Sequence, residues 1–229
     1  MTFNLPAPPN FRGLNGILPI RRYERHLPHW RQDGATYFVT FNLADALPAN
    51  KQNEIDSMRL QCERKHPPPR NEQSWVEYAK TVYQLAENAL DAGFGKCWFR
   101  NPLYIAELHR SLLHLQDQRY ELGCYTIMAN HCHVTIRPFD GIGLEDELGA
   151  IKRTTSRFIN QCEGTTGSLW NQESYDRIVR DEEHLYRVVQ YIGNNPFKAG
   201  LPSTQWHRWI NPNWEKAGWK FEDAISQKT

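Results

Sequence analysis

The chain has 229 residues, 40% of them apolar and 23% charged, with a formal net charge of +1. That is the composition of an ordinary globular protein with one good core, and it excludes a polycation that coats nucleic acid over its whole surface. No run approaches the ~20 apolar residues of a membrane span and the start lacks a hydrophobic leader, so a cytoplasmic protein is expected. Cysteines at 62, 97, 124, 132 and 162 form neither CxxC pairs nor an even framework, which argues against a zinc ribbon and a disulfide scaffold.

Residues 1–35 are rich in proline and glycine and carry Arg12, Arg21, Arg22, Arg25 and Arg31 against Glu24 and Asp33, which reads as an irregular basic arm. Thr36 to Leu43 then alternates, with Tyr37, Val39, Phe41 and Leu43 on one face, and predicts the first strand. A helix from Asn50 to about Cys62, with Ile55, Met58 and Cys62 inward, stops before Pro67-Pro68-Pro69. A second, ending at Gly93, carries Trp75, Tyr78, Ala79, Val82, Leu85, Ala86 and Ala89 at helical spacing, its aromatics expected in the core. A third opens with Asn101 as N-cap and Pro102 at its first position and runs toward Gln118.

Glu121 to Met128 predicts a strand, turn-like Ala129-Asn130 follows, and a further strand reaches Pro138. Leu144 to Cys162 predicts a helix with Leu148, Ile151, Thr155, Phe158, Ile159 and Cys162 inward; Lys152, Arg153 and Arg157 on its other side could meet phosphates or simply be solvated. Residues 169–176 show no clear period. Asp181 caps a last helix with Leu185, Val188, Val189 and Ile192 inward, closed by Asn194-Asn195-Pro196. The tail carries Trp206, His207, Arg208, Trp209, Trp214 and Trp219, residues that could stack bases or pack on the domain.

The chemistry concentrates in the strand after Asn130. Alternation puts His131, His133 and Thr135 on one face and Cys132, Val134 and Ile136 on the other, with the two imidazoles roughly 7 Å apart at Cα. An H-x-H on a strand also arises by chance. As a pair of metal ligands it needs at least one more oxygen or nitrogen, and such a set suits Mg or Mn. Asn195 could supply it. Tyr191, four residues earlier, shares its helix face, so a phenol and an amide oxygen project together. A metal that polarises a phosphate and a tyrosine that attacks it are the parts of a phosphoryl-transfer site. Tyr175 and Tyr186 are competing nucleophiles.

IMANHCHVTI resembles the HUH motif, and LWNQESYDRIVRDEEHLYRVVQYIGNNPFKAGL resembles the C-terminal signature of the REP-associated tyrosine transposases, within the single-tyrosine HUH transposase superfamily. DGATYFVTFNLADALP is similar to that family's first strand, so the likeness spans roughly residues 23–203. It departs at Cys132, which fills a usually hydrophobic slot, at Ala129 and Asn171, which stand where proline and glutamine are usual, and in the long helices before Gln118.

The resemblance implies an α+β fold, an antiparallel sheet flanked by helices in a ferredoxin-like palm, with a domain over residues 36–203, a helical insertion at about 50–118 and a tail from 204. It implies His131, His133 and Asn195 as ligands of a divalent metal and Tyr191 as the nucleophile. The activity implied is cleavage and rejoining of single-stranded DNA beside hairpins through a covalent phosphotyrosine, by a monomer or homodimer. Arg21, Arg22, Arg25, Lys152, Arg153, Arg157 and Arg180 are the DNA-binding candidates, and Trp170 and Arg180 match recurrent positions before the nucleophile. Two rivals stand beside this reading. One is a catalytically silent, domesticated hairpin-binding protein. The other is a metal-free phosphoesterase built from His133-Val134-Thr135 and His109-Arg110-Ser111.

Overall fold

A computed structural model describes residues 4–24, 28–65, 67 and 72–223. Its centre is a five-stranded sheet in the order β6-β3-β5-β4-β7, each neighbouring pair antiparallel. The strands are β3 (Tyr37–Asn42), β4 (Tyr120–Ile127), β5 (His131–Pro138), β6 (Tyr175–Ile178) and β7 (His207–Ile210). The helices are α1 (Ala49–Lys65), α2 (Glu72–Asp91), α3 (Pro102–Leu113), α4 (Leu144–Glu163), α5 (Glu182–Lys198) and the short α6 (Pro212–Lys216). A separate ribbon, β1 (Arg21–Glu24) and β2 (Pro28–Arg31), precedes the sheet. The fold is therefore α+β, an antiparallel sheet flanked by helices, as expected.

Both faces of the sheet are covered. Tyr37, Val39, Phe41, Cys132, Val134 and Ile136 pack with Leu108 and Leu112 of α3 and Leu148 and Ile151 of α4. On the other face Phe38 and Cys124 meet Leu185, Val188, Val189 and Ile192 of α5. Ile55 of α1 and Tyr78, Val82 and Ala86 of α2 enclose Tyr175 of β6. Thr40, Asn42, Thr126, His131 and His133 are buried on this second face, none more than 1% exposed. A row of buried polar side chains in two-sided strands demands partners, and those partners build the site.

Several expectations are corrected. The basic segment is not an irregular arm, because β1 and β2 pair in register from Arg21 with Arg31 to Glu24 with Pro28; Arg25 lies outside the described residues. The ribbon is pinned to β6. Arg31 and His29 both bond Asp176, at 2.9 and 2.7 Å, and Arg31 also bonds Glu145 at 2.8 Å. Burial alone raises the Asp176 carboxyl, but the hydrogen bonds from His29 and Arg31 and the Arg31 charge outweigh it and hold it below the ordinary 3.8. Removing one partner of a buried pair strands the other, so Asp176→Ala should cost about 3–5 kcal/mol in urea unfolding. A carboxyl lowered in the fold stabilises it above its unfolded value, so this contribution is whole at neutral pH and is lost as pH falls below 3.8.

The segment after residue 203 is built into the sheet. β7 pairs with β4, and Trp214 and Trp219 are buried with their indole N–H groups donating to Pro9 O and Pro6 O. A glycine is needed opposite: a Cβ on Gly123 would stand 2.1 Å from the Trp214 ring. The aperiodic stretch before Asp181 contributes β6, and Cys162, expected inward, is exposed. No helix among the described residues is long and apolar enough to cross a membrane.

Candidate functional site

The register of β3, β5 and β4 sets Thr40 and Thr126 on either side of His133 and Asn42 beside His131. Asn130 Oδ1 lies 2.7 Å from His131 Nδ1, and Thr40 Oγ1 lies 2.8 Å from His133 Nδ1. With Nδ1–H donating in both rings, both Nε2 lone pairs are free, and these two atoms lie 3.1 Å apart. Burial lowers the His131 pKa to about 4 and pushes His133 well below the ordinary imidazole value, with His131 adding to the latter shift. Two neutral nitrogens facing each other with no proton to share repel unless a cation or a proton lies between them.

Two helices bring buried oxygens toward this face. Asp91, at the end of α2, offers a carboxylate oxygen that lies with the imidazole nitrogens of His131 and His133 inside a 4.8 Å cluster. Its Oδ2 pairs with Lys198 at 2.7 Å while its buried Oδ1 has no partner. Asn195 of α5 is 1% exposed and its Oδ1 is also unpartnered. Orphaned buried oxygens cost free energy in a dry protein. The Asp91 oxygen and the two imidazole nitrogens make a donor set that could hold a divalent ion such as Mg²⁺ or Mn²⁺.

Asn195 lies within a helical turn because α5 does not stop where the sequence suggested. Pro196 lies inside the helix, and its missing N–H frees the carbonyl of Ile192. Thr126 of β4 donates to that oxygen at 2.7 Å, so the helix continues to Lys198 with its carbonyls satisfied. Thr126→Val should leave Ile192 O bare, cost about 1–3 kcal/mol in chemical denaturation and loosen the Asn195 turn.

Tyr191 is half-buried, with its ring 5.3 Å from that of His133 and 5.8 Å from Phe38. Asn195 Nδ2 donates to its hydroxyl at 3.0 Å. Tyr83 and Glu87 stand one helical turn apart on α2, and the Tyr83 hydroxyl meets Thr40 at 3.1 Å. Burial first, then the Glu87 charge, raises both phenols. Burial raises the Glu87 carboxyl as well. The competing tyrosines are elsewhere engaged. Tyr186 donates to Glu222 at 2.7 Å, and Tyr175 is enclosed under α1 and α2.

The DNA-binding candidates scatter. Arg21 and Arg22 are exposed on β1, stacked over Tyr23 and Trp30 at 5.2 and 4.6 Å. Arg153 and Arg157 are exposed on α4, which covers the face away from the histidines, and Arg180 is exposed just before α5. Lys152 does not face outward with them. Its ammonium bonds Ser174 Oγ at 2.8 Å and Asn171 O at 3.0 Å, and burial lowers it to about 8. Trp170 packs between Phe41 and Phe99 and donates to Thr155 at 2.8 Å. His109 of the rival phosphoesterase motif bonds Tyr125, whose ring belongs to the α3 side of the sheet, so it and His133 cannot share a substrate.

Four residues of the site were missed: Tyr83, Glu87 and Asp91 of α2, and Arg177 of β6. The first three recur at four-residue spacing and so share one helix face. That polar stripe was the available signal. Arg177 is exposed with its guanidinium 4.9 Å from the Phe38 ring and 5.0 Å from that of Tyr83.

No family model matches the chain. No curated protein matches it either. Among solved structures it is similar to a REP-associated tyrosine transposase bound to a REP hairpin, at 15% identity and a TM-score of 0.38, over 79% of this chain and 74% of that one. The reading of the site rests on its own geometry and on the sequence motifs.

Proposed function

We propose that the protein is a metal-dependent single-stranded DNA endonuclease and strand transferase that acts beside hairpins and passes through a covalent phosphotyrosine at Tyr191. The observation that carries this reading is the Tyr191 hydroxyl, held by Asn195 at 3.0 Å, next to a buried His131–His133 pair with two unpartnered oxygens. A divalent ion such as Mg²⁺ or Mn²⁺, held by His131, His133, Asp91 and Asn195, would neutralise developing charge on a phosphodiester.

The chain's own groups do the rest. Asn195 orients the phenol, Phe38 and His133 fix its ring, and Arg177 offers an exposed cation for the phosphate beside the nucleophile. Attack by Tyr191 on phosphorus releases one strand end as a free hydroxyl and keeps the other on the enzyme, and reversal with a second hydroxyl rejoins DNA. The motif resemblance supports DNA as the substrate, and the exposed Arg21, Arg22, Arg153, Arg157 and Arg180 are proposed to hold its backbone. The test incubates the protein and Mn²⁺ with end-labelled single-stranded hairpin oligonucleotides and looks for an adduct that survives denaturing electrophoresis. Hairpin binding with no adduct would leave a catalytically silent binding protein as the better reading.

A further inference from the structure

We propose that His109 and His207 form a second metal site, for a borderline divalent ion such as Zn²⁺, on the face of the sheet away from His131 and His133. The site stands on its own geometry, whether or not the protein cleaves DNA. His109 comes from α3, and His207 comes from β7, where it pairs with Ile127 of β4. Their ring centres lie 4.8 Å apart at 82°, nearly the relation of His131 to His133, which is 4.7 Å and 78°. Two imidazoles that share a tetrahedral ion at the usual metal–nitrogen length of about 2 Å have ring centres about 5 Å apart.

The nitrogens are available to an ion. His109 Nδ1 bonds the hydroxyl of Tyr125, whose ring packs on the α3 side of the sheet. With Nδ1–H donating, the Nε2 lone pair of His109 is free and Tyr125 fixes the ring's orientation. His207 Nε2 is buried and has no hydrogen-bond partner among the described residues. Burial lowers both imidazoles below their ordinary pKa, and His109 adds to the shift at His207, so both rings are neutral. They line one cavity of about 400 Å³ together with Thr204, Trp206 and an apolar wall of Ile105 and Ala106. Trp206 Nε1 is a second buried atom there without a partner among the described residues. An indole N–H only donates, so it suits a water or an anion on the open positions of the ion. None of the described residues that line the cavity carries a carboxylate. That decides the metal, because neutral nitrogens favour Zn²⁺ or Ni²⁺ over the oxygen-seeking Mg²⁺ and Mn²⁺. A bound ion ties the edge strand β7 to α3.

Equilibrium dialysis of the full chain against Zn²⁺ counts the ions. His207→Ala and His109→Ala should each lose one equivalent that His131→Ala keeps, and excess Mg²⁺ should not displace it. Tyr125→Phe keeps both imidazoles but frees the His109 ring, and it should weaken this equivalent by about 10–100-fold. In the His131→Ala protein, Zn²⁺ at about a hundredfold its Kd should raise Tm by about 5–10 °C, and adding His207→Ala should remove the rise. The two histidines lie on different elements, so whichever variant keeps the metal-free melting point of the wild type serves. Full retention of Zn²⁺ in both variants, as from an ion at the exposed Cys162, overturns the proposal. Failure of the His131→Ala protein to bind Zn²⁺ overturns it as well. Neither outcome touches the DNA reading, which stands on His131, His133 and Tyr191 and is tested by the adduct.

Discussion

Tyr191→Phe is expected to abolish the covalent adduct, with the rate of strand cleavage reduced by a factor on the order of 10³ or more. The ring contacts with His133 at 5.3 Å and Phe38 at 5.8 Å do not involve the hydroxyl, so the variant should fold and bind metal as before. What disappears is the one oxygen to which Asn195 donates. Stability should fall by about 1 kcal/mol, the net value of a hydrogen bond with some partners left unpaired. Tyr83→Phe is the sharper control. Tyr83 lies 3.1 Å from Thr40, the residue beside His133, so it is the other phenol that an attacking role could fall to. Retention of the adduct in Tyr83→Phe and its loss in Tyr191→Phe, read by gel after denaturation, assigns the nucleophile. The reverse pattern would move the chemistry from α5 to α2 and leave Asn195 without a reacting partner.

How much of this was legible follows from which interactions are local. The alternation in β5 was readable because it depends only on the strand period, and the structure puts Cys132, Val134 and Ile136 in the core and both histidines on the opposite face. Tyr191 and Asn195 were readable as a pair because four residues close one helical turn. The contribution of α2 was not read, since Glu87 and Asp91 look like ordinary solvated acids until the sheet they cover is known. The continuation of α5 through Pro196 was equally hidden. It depends on a hydroxyl from Thr126, 66 residues from the Ile192 carbonyl it bonds, and helix rules alone end the element at the proline. The pairing of β1 with β2 and of β7 with β4 needs partners that a composition reading does not supply, and the tryptophans of the last segment turned inward because Gly123 leaves room for Trp214.

Metal affinity should separate the groups that touch an ion from those that orient them. His133→Ala removes a nitrogen from the centre of the donor set, and Mn²⁺ binding followed by titration calorimetry should fall below detection. His131→Ala should do the same. Thr40→Val keeps both imidazoles but removes the oxygen 2.8 Å from His133 Nδ1, the contact that fixes which nitrogen faces the site. Losses from orienting contacts of this kind run at about 10–100-fold in affinity, so Thr40→Val should bind Mn²⁺ weakly where His133→Ala binds none. Asp91→Asn distinguishes two roles for its carboxylate. If Asp91 only neutralises Lys198, the pair at 2.7 Å on a half-exposed rim is worth little and affinity should hardly move. If its unpartnered Oδ1 faces the ion, the loss of a formal charge should weaken binding at least as much as Thr40→Val does. The buried orphan oxygen favours the second outcome, because the ion pair leaves that atom unexplained.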